Sequence, residues 1–422
     1  MEYYSSYTKI LHDELKGALG CTEPIAIAYA AALLKDALGC TPCEIKIELS
    51  GNIIKNVKSV IVPATMGMHG IKSAVCAGIV SGAYERELEV LTALTPTDAE
   101  KIRELSDKIS LEISELQTDK PFEIKIQGKA GELCAFVHLA DRHTNVVNVT
   151  RGTASLTEKY KKESFEALKE AEGRELLTVE GIVDYASNVS LDEIKPILLR
   201  QIDMNMAIAY EGVRGDYGAS IGKLLYNGGD CSLKDKARAL AAAGSDARMS
   251  GCEMPVCIIS GSGNQGMCSS IPVIVYARDM GVSEETLLRA LLITNLITIH
   301  QKTGIGCLSA YCGAISAGCG AGCGIAYLNG GGYYEIAHTL VNSLAILSGT
   351  ICDGAKPSCA AKIAMAVEAG IMGYEMMRAG KQFYGGDGIV TKGVENTIKN
   401  VGRLARRGME ETDREIIKIM LG

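Results

Sequence analysis

Apolar and polar residues alternate strictly over 43–49 (CEIKIEL), which puts Ile45, Ile47 and Leu49 on one face of a half-buried strand. Similar short runs predict strands over 58–62, 122–127, 133–140 and 145–150, separated by helical patterns at 69–82 and 97–107. Ahead of them, a helical pattern at 5–17 ends near Gly17 and Gly20, and a second helix spans 23–38. From about residue 157 the period of two disappears. Helices are expected at 157–172, 178–187, 191–210, 234–246, 284–301, 334–348, 359–378 and 410–420. Glycine-rich loops should join them: GSGNQG (261–266), GIGC (304–307), GCGAGCG (318–324) and GGG (330–332). There is no fixed-period repeat and no low-complexity linker. The pattern predicts an α+β protein in three parts. These are helices over 1–39 packing with the helical domain, a smaller α+β domain over 40–155, and a mainly helical domain over 156–422.

Length agrees with this division, since 422 residues exceed what one hydrophobic core usually serves. With 47 glycines, four phenylalanines and no tryptophan, the chain must pack backbone close to backbone rather than through large rings. A net charge of −7 with no basic stripe argues against nucleic acid or an anionic membrane as partner. The apolar stretches 285–299 and 336–351 are broken by polar residues and fall short of the roughly 20 residues a membrane span needs, so they read as buried helices. The opening MEYYSSYTKILHDELKG lacks the apolar core of a secretory signal. A cytoplasmic location is therefore expected, where thiols stay reduced and disulfides are disfavoured.

That expectation bears on the 15 cysteines, six of which lie between 307 and 359. Most should be small buried hydrophobes. The Cys40–Cys43 pair has no second pair at zinc-finger spacing. Cys352 and Cys359 stand apart, because they bracket a turn built from Gly354 and Pro357. Ser358 is a candidate N-cap for the following helix, placing Cys359 in its first turn, where the helix dipole favours thiolate. Two thiolates at such a turn suit a soft metal or an iron–sulfur cluster. Spacing leaves the third ligand open among Cys307, Cys312, Cys319 and Cys323.

The segments GCTEP (20–24), SGNIIKNVKSVIVPAT (50–65), SGSGNQG (260–266), LSAYCG (308–313) and CDGAKPSC (352–359) together resemble the L-cysteine desulfidase family, related to the α chain of iron–sulfur L-serine dehydratases. The resemblance runs from residue 20 to about 390. It implies a 4Fe–4S cluster held by Cys312, Cys352 and Cys359, with one iron left open to substrate. It also implies elimination of sulfide from L-cysteine without pyridoxal phosphate, giving pyruvate and ammonia. The dehydratase relatives have a longer gap between the last two cysteines and a capping cysteine near the C-terminus. This chain has the shorter gap and ends in IIKIMLG. Dehydration of L-serine is the alternative reaction, and a non-catalytic metal or redox protein the alternative class.

On this reading Cys21, at a helix start marked by Pro24, is the reactive thiol with a lowered pKa; otherwise it shapes a helical corner. For the amino-acid substrate, Ser262, Asn264 and Gln265 in the Ser260–Gly266 stretch offer an anion nest, or merely a tight loop. Asn52, Asn56 and Thr65 are a second set of contacts, facing the cluster from the N-terminal domain. His300 and Lys302 form an acid–base pair or satisfy carbonyls at a helix end. A homodimer is expected.

Overall fold

The computed structural model describes residues 3–161, 173–306 and 308–421. The chain opens with α1 (Tyr3–Glu14), the short β1 (Gly17–Leu19) and α2 (Thr22–Leu38). Next come β2 (Glu44–Leu49), α3 (Gly51–Val57), α4 (Gly70–Ser81), α5 (Asp98–Lys108), β3 (Ser110–Glu115), β4 (Glu123–Ala130), β5 (Leu133–Ala140), β6 (Val146–Arg151) and β7 (Ala154–Ser155). The six strands from β2 to β7 form one sheet in the order β3-β2-β4-β5-β6-β7, antiparallel except for the β2–β3 pair. Ile45, Ile47 and Leu49 are buried as their alternation requires, alongside Ile124, Ile126, Val137 and Leu139. α2 lies across β4 and β5 and α4 packs on α2, so the sheet is covered on one face. The predicted strands at 122–127, 133–140 and 145–150 are present. Residues 58–62 are not a strand: only Ile61 bridges, to His69, below a turn with Ala64, Met66 and Gly67 at positive φ. Their apolar run instead fills space beneath α3, with Val60 and Val62 buried.

The helical part comprises α6 (Thr157–Tyr160), α7 (Val179–Asn188), α8 (Lys195–Arg214), α9 (Ile221–Tyr226), α10 (Leu233–Met249), β8 (Pro255–Cys257) and α11 (Gly263–Met280). It continues through α12 (Glu284–Ile305), α13 (Gly313–Leu328), α14 (Tyr333–Leu347), α15 (Cys359–Arg378), α16 (Val394–Arg403) and α17 (Glu410–Leu421). Of the helix expected over 157–172, residues 162–172 lie outside the described residues, as does Cys307. Strands do not vanish after 157. β8 pairs antiparallel with β1, a ribbon of three residues a side, too short to show a period. α1 packs on the helical part, with the rings of Tyr4 and Tyr7 against Tyr185 of α7 at 5.3 and 5.4 Å. α2, expected to go with it, packs on the sheet.

Two of the expected glycine-rich loops are helical. GSGNQG runs into α11, and GCGAGCG lies wholly within α13. α13 is enclosed by α11, α12, α14 and α15. A Cβ on Gly322 would run into the carbonyl of Gly370 on α15, and one on Gly318 into that of Ala366. Glycine here permits helix-on-helix contact, although it disfavours an isolated helix by about 1 kcal/mol per residue. Among the described residues, no helix is long and apolar enough to cross a membrane.

Candidate active site

One cavity lies where the sheet-covering helices meet the helical part. It is lined from one side by Cys21, Glu23, Asn52, Lys55, Asn56 and His143, and from the other by Arg248, Ser262, Asn264, Gln265, Lys302, Cys312, Cys352, Cys359 and Lys362. Four helices start at it. Cys21 is the N-cap of α2, Ser262 of α11 and Cys312 of α13, while Cys359 is the first residue of α15. Each helix start presents backbone N–H groups without intrahelical partners and the positive end of its dipole, so the cavity favours anions.

Backbone pairing sets the cysteines side by side. Cys312 N–H donates to Thr350 O at 3.0 Å, Cys352 N–H donates to Ala310 O at 2.6 Å, and Tyr311 bridges Ile351. LSAYCG and CDGAKPSC are thereby zipped together. The turn after Cys352 passes against α3 at Gly354, whose φ is +94° and where a Cβ would lie 2.6 Å from Lys55 O. Asp353 holds the turn through Lys356 and Lys362, the latter at 2.6 Å. Ser358 sits at the expected cap position in helical conformation, and its hydroxyl makes no capping bond.

The thiols are not activated by their helix starts. Burial pushes Cys312 up to about 12, and the negative ends of Cys352 and Cys359 add to this. Cys359 is raised mainly by burial, with Cys352 adding to it. Burial also lifts Cys21 to about 12; Arg248 opposes this, and Glu23 and Cys359 reinforce it. The lowered pKa expected at Cys21 and Cys359 is therefore overturned: desolvation outweighs the dipole. Clustered thiols in this state suit a group that brings its own positive charge. Among the described residues, no three His, Cys, Asp or Glu side chains converge tightly enough to hold a single metal ion. Cys312, Cys352 and Cys359 line one cavity instead, and three soft sulfur donors are the chemistry that an iron–sulfur cluster takes. The donor set fits that group.

Of the residues expected to contact substrate, Asn52, Asn56, Ser262, Asn264 and Gln265 all reach the cavity. Thr65 does not. It is fully buried in the 62–68 turn, its hydroxyl donating to Val62 O at 2.6 Å and accepting from Met68 N–H. The Ser262 hydroxyl accepts from Gln265 N–H, and Asn264 Oδ1 accepts from Arg248 Nη1 at 3.1 Å. Lys302 lines the cavity, whereas His300 donates to Glu395 on α16 at 2.7 Å. They are not an acid–base pair. Cys319 and Cys323 are buried inside α13 and take no part.

Glu23, Arg248 and His143 were not anticipated as site residues. Glu23 lies inside GCTEP, where only the cysteine had drawn a role. His143 comes from the β5–β6 hairpin and Arg248 from the end of α10, and no local pattern marks either. Burial pushes the Glu23 carboxyl up, but His143 and Arg248 outweigh it and hold the group below its usual range.

Fold and cavity together define an α+β protein with a thiol-lined cavity framed by helix N-termini. The model of the serine dehydratase alpha chain matches residues 85–418, and the chain belongs to that family. A UPF0597 protein of Desulfitobacterium hafniense (strain Y51) is 50% identical over 99% of this chain and 97% of its own length. Counterparts in Lachnoclostridium phytofermentans and Treponema denticola are 46% and 45% identical, each over 99% of this chain and over 100% and 98% of their own lengths.

Proposed function

We propose that the protein is an iron–sulfur L-cysteine desulfidase, cleaving L-cysteine to sulfide, pyruvate and ammonia without pyridoxal phosphate. The observation that carries it is the meeting of Cys312, Cys352 and Cys359 at one cavity with Cys21 and the polar side chains of both halves of the protein. A 4Fe–4S cluster held by those three cysteines would supply an open iron, a soft Lewis acid that makes the substrate sulfur a better leaving group.

The remaining work falls to the chain itself. The substrate carboxylate is held at the start of α11, where Ser262 and Asn264 stand beside Arg248. Cys21, buried next to Cys359, would take the α-proton at its Sγ in the thiolate form, which Arg248 and the positive charge of bound iron favour against its burial. Loss of that proton and of sulfide leaves aminoacrylate, which tautomerises and takes up water to give pyruvate and ammonia. Membership of the serine dehydratase alpha chain family favours a second reading, dehydration of L-serine at the same site.

Anaerobic reconstitution followed by parallel assays separates the two. Sulfide release from L-cysteine should show the higher kcat/KM. A higher value for ammonia release from L-serine would overturn the desulfidase reading.

A further inference from the structure

The cavity contains acceptors without donors. The amide oxygens of Asn52, Asn56 and Gln265 are buried and have no hydrogen-bond partner, although Asn56 and Gln265 are only 7% and 6% exposed. For Asn56 the orientation is fixed: its Nδ2 donates to Glu23 Oε1 at 3.1 Å, and a carboxylate can only accept, so Oδ1 is the free end. Leaving such an oxygen unpaired is costly, and three of them meeting at one cavity call for a donor there.

Beside it lies a buried negative charge. Glu23 accepts from Thr22 Oγ1, from Asn56 and from its own backbone N–H, all neutral, and Arg248 acts on it only through its charge. Its nearest ion-pair partner is His143 Nε2, 3.9 Å from Oε1, too far for a hydrogen bond, and that nitrogen is itself buried without a hydrogen-bond partner. A group with several N–H donors and a positive charge would satisfy the carboxylate and the amide oxygens at once. On the opposite wall, Arg248 and the start of α11 make the positive counterpart. Glu23, Asn52 and Asn56 thus place acceptors on the wall built by α2 and α3, while Arg248 and the N–H groups of α11 place donors on the other, beside the free oxygen of Gln265, an arrangement that suits a zwitterion.

We propose that Glu23, with the side-chain oxygens of Asn56 and Asn52, forms the binding site for the substrate's α-ammonium group and so selects α-amino acids over acids lacking that group. The assignment rests on the amino-acid lyase reading and adds to it a recognition residue, Glu23, and a direction for the substrate. The ammonium lies toward α2 and α3 and the carboxylate toward α11.

The test is calorimetric binding to the full-length, anaerobically reconstituted protein. Two probes are used: L-alanine, which keeps the amino-acid frame but has no leaving group, and 3-mercaptopropionate, which keeps thiol and carboxylate but lacks the ammonium. Glu23→Gln should weaken L-alanine by a factor on the order of 10 to 100, the usual scale for a hydrogen bond to a charged group. It should leave 3-mercaptopropionate and iron content unchanged. Asn56→Ala should weaken L-alanine in the same selective way, and circular dichroism of both variants controls for folding. Equal weakening of both probes, or no binding of L-alanine by the wild type, overturns the proposal. A wild type that releases no sulfide yet binds L-alanine through Glu23 would sink the desulfidase reading and leave the ammonium site standing.

Discussion

Cys21 carries the sharpest test of the proposed chemistry. It replaces no cluster ligand, and alanine fits its buried place at the start of α2. Cys21→Ala should keep iron and fold while turnover falls by a factor of order 10² or more, the scale of a lost proton-transfer group. Near-normal sulfide release would remove it from the mechanism. Cys312→Ser, Cys352→Ser and Cys359→Ser should each lose iron and labile sulfide, whereas Cys319→Ala and Cys323→Ala should not; full iron content in Cys352→Ser would rule the ligand set out. A different residue makes stability depend on pH. Burial lifts Asp246 to about 6, against bonds from the N–H groups of Gly222 and Ile221. The folded chain thus binds this proton more readily than the unfolded chain, whose carboxyl stays near the ordinary 3.8. The resulting stability is complete below that value and is lost as pH rises through about 6. Asp246→Asn, which still accepts from Gly222, should melt above the wild type at pH 7.5 and alongside it near pH 4. At this scale, legibility followed sequence proximity. Cys312, Cys352 and Cys359 sit in compact motifs, while His143 and Arg248 reach the cavity only through tertiary folding. Thr65 belonged to a quoted motif yet serves only its turn.

Among the elements, strand patterning found the centre of the sheet but also marked 58–62 and missed the exposed edge strand β3, and glycine misled further. β2, β4, β5 and β6 were readable because one face of the sheet is buried and the other is not. The start of α11 and the middle of α13 resemble loops in sequence because Gly263, Gly266 and the GCGAGCG run are poor helix formers. Their helicity is imposed by neighbours that only small residues can approach. α16 is another case: Val394, Thr397, Ile398 and Val401 are buried at helical spacing, so its signal was present in the sequence and passed unread. Gly370→Val follows from this packing. Its side chain would collide with the Gly318 carbonyl of α13. Overpacking there should cost about 1–3 kcal/mol in denaturant unfolding. Gly354→Ala should act locally instead, because a left-handed turn pressed on Lys55 cannot take a Cβ. Iron content should fall with little change in helicity.

For the molecule as a whole, the cavity depends on two packed halves keeping register. Lys55 of α3, almost wholly buried, pairs with Asp413 of α17 at 2.5 Å and donates to the carbonyl of Cys352 at 3.4 Å. One side chain thus ties the sheet side, the C-terminal helix and the turn between two proposed ligands. Removing one partner leaves a buried charge uncompensated, so Asp413→Ala should destabilise the protein by about 3 kcal/mol or more and speed iron loss in air. A variant with wild-type melting and iron retention would show that the pair is dispensable. The change of period near 157 falls where the six-stranded sheet ends, at Ser155. The β1–β8 ribbon and this tie were not legible, since each joins residues more than 200 positions apart through a few short-range bonds; nor was the seat of α2, whose nearly all-apolar surface does not say which neighbour covers it.

The enclosure of α13 by four other helices has a further consequence. Its amide protons lie between the backbones of α15, pressed on Gly318 and Gly322, and of α12, pressed on Gly320 and Gly324, so water reaches them only when α15 parts from α12. In deuterium oxide they should be the last of the molecule to exchange, at a rate set by complete unfolding. The glycines that make this helix weakest in isolation would make it the slowest clock in the native protein.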